Sequence, residues 1–412
     1  MEDALPGRER SGDAMVFGVH SAAKGGSEDM ANRSIPRVLR LSGSAYERGR
    51  THGETLKAPI RDVVAAWMAE VERDLGFPGK EVVGRFIERT DFLPAIEQWT
   101  PDLVDEIRGI ADGCGLDFET MFAFQCVDEV WANGDRIVGE HCTTFGYRGD
   151  PAQPPLLAQT VDVEAFRDGY QVMLRIVDEV TGTESLVTTC VGGIGFNGLN
   201  SRGVGVCCNA ELQLRHAPRG LPVACAMRGI LQQSSVDGAV EFLSSVPHAS
   251  GQHYLVGDPS QIRSIECSSG AVAEFVPDDA GDVLWHTNHP LASEDVHPWY
   301  RELLDAGKSY PFLDNSRARL IALKAGLTSD SDLPRGEQFA RILSSSDDPR
   351  HPICTGRDEG TFYSEVGLFT FASTLMVLSD APELRVTLGP PDRAPCHILR
   401  FSEEEDEAPP GG

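Results

Sequence analysis

The sequence predicts an α+β protein with antiparallel sheets, and three observations carry that prediction. The first 135 residues read as mainly helical. From Cys142 the apolar period shifts toward two, in short runs divided by Gly, Asn and Asp. Helical spacing returns at about 315 to 345, and the chain then closes on further strands. Helices, strands, helices and strands in that order imply layered α and β.

Taken in order, residues 1–35 are rich in Gly, Ser and charge and are expected to be a disordered extension, within which Met15 and Met30 are alternative starts. From Ser44 to Gly76 a Ser-x-x-Glu capping box opens a run of helical spacing, with a kink expected at Pro59. Gly49 and Gly53 lie one turn apart there, a face that lets another backbone approach closely. "TPDLVDEIRGIADGCGLD" predicts a helix with Thr100 as N-cap, Pro101 in its first turn and Gly113 or Gly115 near its end. "LLAQTVDV", "YQVMLRIVDE", "ESLVTTCVG", "IGFNGLNSRGVGVCC", "QHYLVGD", "IRSIECSSG", "AVAEFVP" and "DVLWHTN" read as strands, interrupted by helices in "VACAMRGILQQ" and "VDGAVEFLSSV". "FASTLMVLSD" and "ELRVTLGPP" are the closing strands, and an acidic Pro/Gly tail at 403–412 is expected to be disordered.

With 41% hydrophobic and 24% charged residues, 412 residues suffice for one large core or two ordinary ones. The 63 acidic against 36 basic residues leave a formal charge of −27, which repels phosphate backbones and anionic lipid, so neither nucleic acid nor membrane is an expected partner. No apolar run has transmembrane length and the N-terminus lacks signal-peptide features, so a cytoplasmic location is expected. The ten cysteines are scattered without a C-x-x-C pair, which points to neither a disulfide framework nor a zinc site. Self-association into a homo-oligomer is left open.

Three motifs lack the context their chemistry needs. Gly193-x-Gly195-x-x-Gly198 resembles a dinucleotide loop, but no helix opens after it and its surroundings read as a hairpin. His286 and His289 have metal-ligand spacing, yet follow a strand-like run with no third ligand nearby in sequence. Asn32-Arg33-Ser34 is a glycosylation sequon in a chain without a secretion signal. No cofactor and no metal are expected.

In "GEHCTTFGYRGD", Cys142 sits among small polar side chains. A reactive thiol needs a base or positive dipole within reach and donors for an oxyanion, whereas an ordinary cysteine is a small packed hydrophobe.

The chain resembles the isopenicillin N acyltransferase family of N-terminal nucleophile hydrolases, in the family's order from about residue 37 to 402. "GSAYERGRTHGETLKAPI" is similar to the family's glycine-rich opening helix, "IEQWTPDLVDEIRGIADG" to its second helical signature and "CTTFGY" to the Cys-Thr-Thr that begins its second subunit. "LLAQTVDV" stands where the family has a Gln-Asn-Trp-Asp strand. "GGIGFNGLNSRGVGVCCNAELQL" resembles its glycine-rich hairpin, "RGLPVACAMRGIL" the helix after it, "WHTNH" its His-Thr-Asn-His segment and "LRVTLGPP" its closing strand.

The resemblance implies a four-layer αββα sandwich, two antiparallel sheets face to face and covered by helices. It implies self-cleavage between His141 and Cys142, giving a mainly helical segment, 36–141, that stays associated as its own subunit, and a catalytic segment, 142–402. Cys142 then carries both the thiol and a free α-amine, whose ordinary pKa near 8 suits it as general base. The resemblance assigns Asn288 as oxyanion donor, Asp162 as the carboxylate that orients the α-amine and assists processing, and Thr144 as a hydroxyl near the thiol.

Departures bear on the substrate. His141 stands where penicillin-making members have Gly, Gln159-Thr160-Val161-Asp162 where they have Gln-Asn-Trp-Asp, and Thr370-Phe371-Ala372 where they have Ser-Arg-Gly. Loss of that guanidinium removes a bidentate partner for carboxylate, which argues against a penicillin substrate. The expected function is hydrolysis or formation of an amide of a small molecule or acyl donor through an acyl-thioester on Cys142, with hydrolysis favoured. The alternative is a noncatalytic or unprocessed descendant acting as a binding or scaffold protein.

Overall fold

The computed structural model describes residues 38–133, 141–277, 281–329 and 333–401; the expected extension at 1–35 and tail at 403–412 lie outside them. Strand β1 (Val38–Leu41) leads into helices α1 (Ala45–Thr55), α2 (Lys57–Leu75), α3 (Gly79–Arg89), α4 (Leu93–Trp99), α5 (Asp102–Cys114), α6 (Phe118–Gln125) and α7 (Val127–Asn133). Strands β2 (His141–Tyr147), β3 (Leu156–Glu164), β4 (Gln171–Asp178), β5 (Thr183–Cys190), β6 (Asn197–Asn200) and β7 (Gly205–Ala210) follow, then helices α8 (Val223–Ile230) and α9 (Val236–Ser245). Next come strands β8 (Gln252–Gly257), β9 (Ile262–Cys267), β10 (Val272–Glu274) and β11 (Val283–His286) and helices α10 (Pro298–Asp305), α11 (Pro311–Thr328), α12 (Arg335–Leu343) and α13 (Phe362–Val366). Strands β12 (Leu368–Val377), β13 (Glu383–Leu388) and β14 (Cys396–Arg400) end the described chain.

The strands form two sheets, in the orders β1-β4-β5-β6-β7-β8-β9-β10 and β11-β2-β3-β12-β13-β14. Every pairing is antiparallel except β1 with β4, where Val38 stands opposite Met173. Alternation along each strand divides its side chains between two layers. Leu157, Met173, Leu186, Leu199, Cys207 and Leu255 fill one core between the sheets, which Leu323 of α11 and Phe339 of α12 extend across the six-stranded sheet. Leu174 and Val187, on the other face of the eight-stranded sheet, pack with Ile60, Trp67 and Ile107 of the N-terminal helices. Helices therefore cover both outer faces, the αββα arrangement that the family resemblance implied.

The capping box is present, with Ser44 accepting from the Glu47 N–H and the Glu47 carboxylate accepting from the Ser44 N–H. The kink expected at Pro59 is instead a break at Leu56 (φ −110°, ψ 28°). Pro59 falls in the first turn of α2, where its missing N–H removes no intrahelical bond. Thr100 is one residue outside the cap, which Pro101 occupies, and Gly115 closes α5 in the left-handed region (φ 73°).

Glycines let α1 and α5 touch backbone to backbone. A Cβ at Gly49 would lie 1.9 Å from the Glu106 carbonyl oxygen, and one at Gly109 would lie 2.2 Å from that of Tyr46.

Candidate active site

Cys142 lies on β2, opposite Val161 of β3, and is 3% exposed. Its neighbour Thr143 bonds to Arg319 of α11, and Phe145 packs edge-on against Phe339 of α12. Strand alternation therefore turns Cys142 and Thr144 to the opposite face of the sheet. There Cys142 joins the wall of a pocket of about 660 Å³, its open mouth included, formed with Gln159 and Val161 of β3 and with α6, α7 and α8.

Asn288 follows β11, the strand paired with β2. Its Oδ1 accepts the main-chain N–H of Cys142 at 2.9 Å, and its Nδ2 donates to the Ala210 carbonyl at 3.0 Å. The turn is held on both sides. The Asn288 N–H donates to Ser316 Oγ, while the Glu266 carboxylate accepts the N–H groups of Leu291, Ala292 and Ser293.

His286 and His289 do not converge, for His289 Nδ1 faces Ser316 Oγ at 2.7 Å. The absence of a third ligand beside His286 is corrected by the fold, which brings up two glutamates remote in sequence. His286 Nε2 lies 2.9 Å from Glu266 Oε1 and 3.3 Å from Glu211 Oε1, all three residues buried, with ligand atoms close enough to hold a cation. His286 Nδ1 lies 2.8 Å from the Thr287 carbonyl, so both ring nitrogens face oxygen acceptors.

Arg319, which the sequence reading missed, is fully buried at the centre of this network. Its guanidinium donates to the Cys142 carbonyl at 2.6 Å, Thr143 Oγ1 at 2.8 Å, Asn288 Oδ1 at 2.7 Å and Asn315 Oδ1 at 2.9 Å. The guanidinium meets these four acceptors with donors in a fixed planar fork, whereas an ammonium has only three N–H groups to offer. Its signal was weak, one of two arginines in α11, without a motif.

Asp162 is opposite His141 in the β2–β3 ladder and is fully buried. It accepts from Thr370 Oγ1 at 2.7 Å and from the Tyr363 hydroxyl at 3.0 Å. Burial raises its carboxyl to about 6, against the lowering effect of Arg319 and of those two hydroxyls. Thr370 belongs to the segment that replaces Ser-Arg-Gly, and the register slips by one residue at Phe371. Thr144 bonds to the His286 carbonyl at 3.5 Å.

His141 stacks on Phe312, with 4.9 Å between ring centroids, and its Nδ1 is 3.3 Å from Arg319 Nη2. Burial and then the Arg319 charge push its pKa well below the usual range, so the ring is neutral. The structure thus gathers His141, Cys142, Asp162 and Asn288 around Arg319, with Thr144 one strand repeat away.

A profile of the acyl-coenzyme A:6-aminopenicillanic acid acyl-transferase family matches residues 153–377, more than half of the chain. The chain belongs to that family of acyl-transferases. The 40 kDa form of acyl-coenzyme A:6-aminopenicillanic-acid-acyltransferase from Emericella nidulans is 28% identical over 265 residues, 64% of this chain and 70% of that protein. Among solved structures, a mutant conjugated bile acid hydrolase from Clostridium perfringens aligns at 13% identity and a TM-score of 0.40, over 64% of this chain and 94% of that one. Penicillin V acylase from Agrobacterium tumefaciens aligns at 13% identity and a TM-score of 0.37, over 64% and 87%.

Among the described residues no helix is long and apolar enough to cross a membrane.

Proposed function

We propose that the chain matures by cleavage between His141 and Cys142, and that the thiol of Cys142 is then the nucleophile of an amide hydrolase. The observation that carries this reading is the position of Cys142. Its side-chain face lines the pocket, its N–H is held by Asn288 and its carbonyl by Arg319.

In maturation the sulfur attacks the His141 carbonyl carbon, the C–N bond to Cys142 breaks, and the proton lost by the thiol passes to the departing amine. Water then opens the thioester, leaving a carboxylate on His141 and restoring the thiol. In turnover the α-amine of Cys142 is the base that takes the thiol proton, and the substrate amide replaces His141 as acyl donor. Asn288 holds the α-amine through Oδ1 and supplies an N–H to the oxyanion through Nδ2, while Asp162 balances the new ammonium. Thr144 supports the β2 strand beside the thiol. Water as second acceptor gives hydrolysis, and an amine gives acyl transfer.

We further propose that the 36–141 segment remains as an associated subunit. Buried bonds across the cut support this: Arg228 grips Glu106 at 2.7 and 3.0 Å, and Glu129 accepts from Ser250 Oγ and the Val223 N–H. A cytoplasmic setting fits ten cysteines of which no two are joined by a disulfide.

The test is labelling with a thiol-reactive amide analogue followed by peptide mapping. Fast modification confined to Cys142 and lost in Cys142→Ala is the expected result; equal labelling of the variant would sink the reading in favour of a noncatalytic scaffold.

A further inference from the structure

We propose that the pocket beside Cys142 is built for an amide whose acyl or amine portion ends in a protonated amine, and that Asp128 recognises that ammonium. The inference rests on Cys142 being the nucleophile and goes beyond it by naming the substrate class.

Asp128 is on α7, lines the same pocket as Cys142 and is 8% exposed. Gln252 Nε2 donates to its Oδ2 at 2.7 Å. Its Oδ1 has no protein donor among the described residues, which leaves a carboxylate half satisfied at the edge of a cavity. Burial raises its carboxyl, and Gln252 and the Arg167 charge on the same wall offset that only in part, so a second cation that enters relieves a remaining cost.

Of the other polar groups on the wall, Thr189 Oγ1 has no hydrogen-bond partner among the described residues, while Gln125 and Arg167 are engaged elsewhere. Gln125 spends both ends of its amide on the main chain, donating to the Gly192 carbonyl and accepting the Ile194 N–H. Arg167 is 3.2 Å from the Glu164 carboxylate and lies against the Phe166 and Phe196 rings. Val127, Val223 and Met227 add apolar wall. A ligand that fits is therefore mostly apolar, with a donor-rich positive end.

Two further features agree. Where penicillin-making members carry arginine, Phe371 packs edge-on against Phe196, a pocket residue, at 5.6 Å between centroids. The exchange removes one positive charge from this side of the pocket, where Arg167 remains beside Phe196 and paired with Glu164, and leaves Asp128 in place. The overall charge of −27 also steers cations, not carboxylates, toward the surface. Asp128 lies in the segment before the cleavage point, so recognition comes from one segment and the nucleophile from the other.

The test uses two readouts on the full chain. Calorimetric titration of wild type as purified compares non-cleavable sulfonamide analogues of amides of one skeleton ending in ammonium, in methyl and in carboxylate, with and without Asp128→Asn. In parallel, kcat/KM is measured for the same amides with wild type, Asp128→Asn and Asp128→Glu. The expected result is a preference of about 10- to 100-fold for the ammonium amide, expressed mainly in KM and affinity. It should be retained in Asp128→Glu and lost in Asp128→Asn. Equal affinities, a preference for carboxylate, or a preference that survives Asp128→Asn would overturn the proposal. Failure of the nucleophile reading looks different: ammonium-selective binding would persist with no Cys142-dependent turnover of any amide.

Discussion

The main-chain N–H of Cys142 donates to Oδ1 of Asn288 across 2.9 Å, joining two residues 146 positions apart. The same oxygen accepts from Arg319 at 2.7 Å, which fixes the amide with its nitrogen toward Ala210. Asn288→Ala removes both the anchor of the amine and the proposed oxyanion donor. Its kcat should fall by about 10²- to 10³-fold, with KM changed far less. Steady-state kinetics on a turned-over amide checks this, and a fall confined to KM would count against the assignment.

Arg319 offers a separate test because it touches several acceptors. Arg319→Ala takes a charged donor away from the Cys142 carbonyl, Thr143 Oγ1, Asn288 Oδ1 and Asn315 Oδ1 in a dry interior and should cost about 3 kcal/mol or more of stability. Arg319→Lys keeps the charge without the fork, so it should fold yet cleave before Cys142 at least about tenfold more slowly. Urea unfolding together with time-resolved gel analysis separates the two effects.

The pH dependence of stability should carry the mark of Glu129. Burial first, and Asp128 second, raise this fully buried carboxyl to about 7 from an ordinary 4.5, while Ser250 and the Val223 N–H oppose the rise. Between those two values the folded chain binds more protons than the unfolded one. Its contribution is therefore intact below about 4.5 and is lost as pH rises through 7, by about 3 kcal/mol in all. Glu129→Gln cannot ionise, so its stability relative to wild type should improve by about that amount between pH 5 and pH 8. Urea midpoints at the two pH values measure it, and a difference independent of pH would refute the assignment.

Two glycines in helices should respond in opposite ways to the same change. At Gly49 a Cβ would meet the Glu106 carbonyl, whereas at exposed Gly84 of α3 nothing lies within 4 Å. Gly84→Ala should stabilise by about 0.5–1 kcal/mol through helix propensity alone. Gly49→Ala should destabilise by more than that, since α1 must move off α5. Thermal unfolding of the pair is sufficient to decide.

What the sequence disclosed depended on how local the physics was. The capping box at Ser44, the glycine face of α1, and the strands from Leu156 to Cys267 were legible because each is set by neighbours a few residues apart. Cys142 and Asn288 were singled out by the resemblance to the family and not by local spacing. Arg319 stayed hidden because its meaning comes from acceptors on β2 and after β11. Glu211 and Glu266 stayed hidden beside His286 for the same reason, since the sheets alone bring them together. Strand β1, only Val38–Leu41, pairs in parallel with a strand more than a hundred residues on, and so carries no local signal. Pro59 misled because a proline inside a helical pattern looks the same whether it kinks one helix or opens the next.

The most direct measurement is the intact mass of freshly purified wild type beside Cys142→Ala. The account predicts two fragments of about 15 and 29 kDa from the 44.7 kDa chain, in the wild type only, with the larger beginning at Cys142. A single full-length species in both would contradict it: Cys142 would then never become a terminus, and the α-amine could not serve as its base.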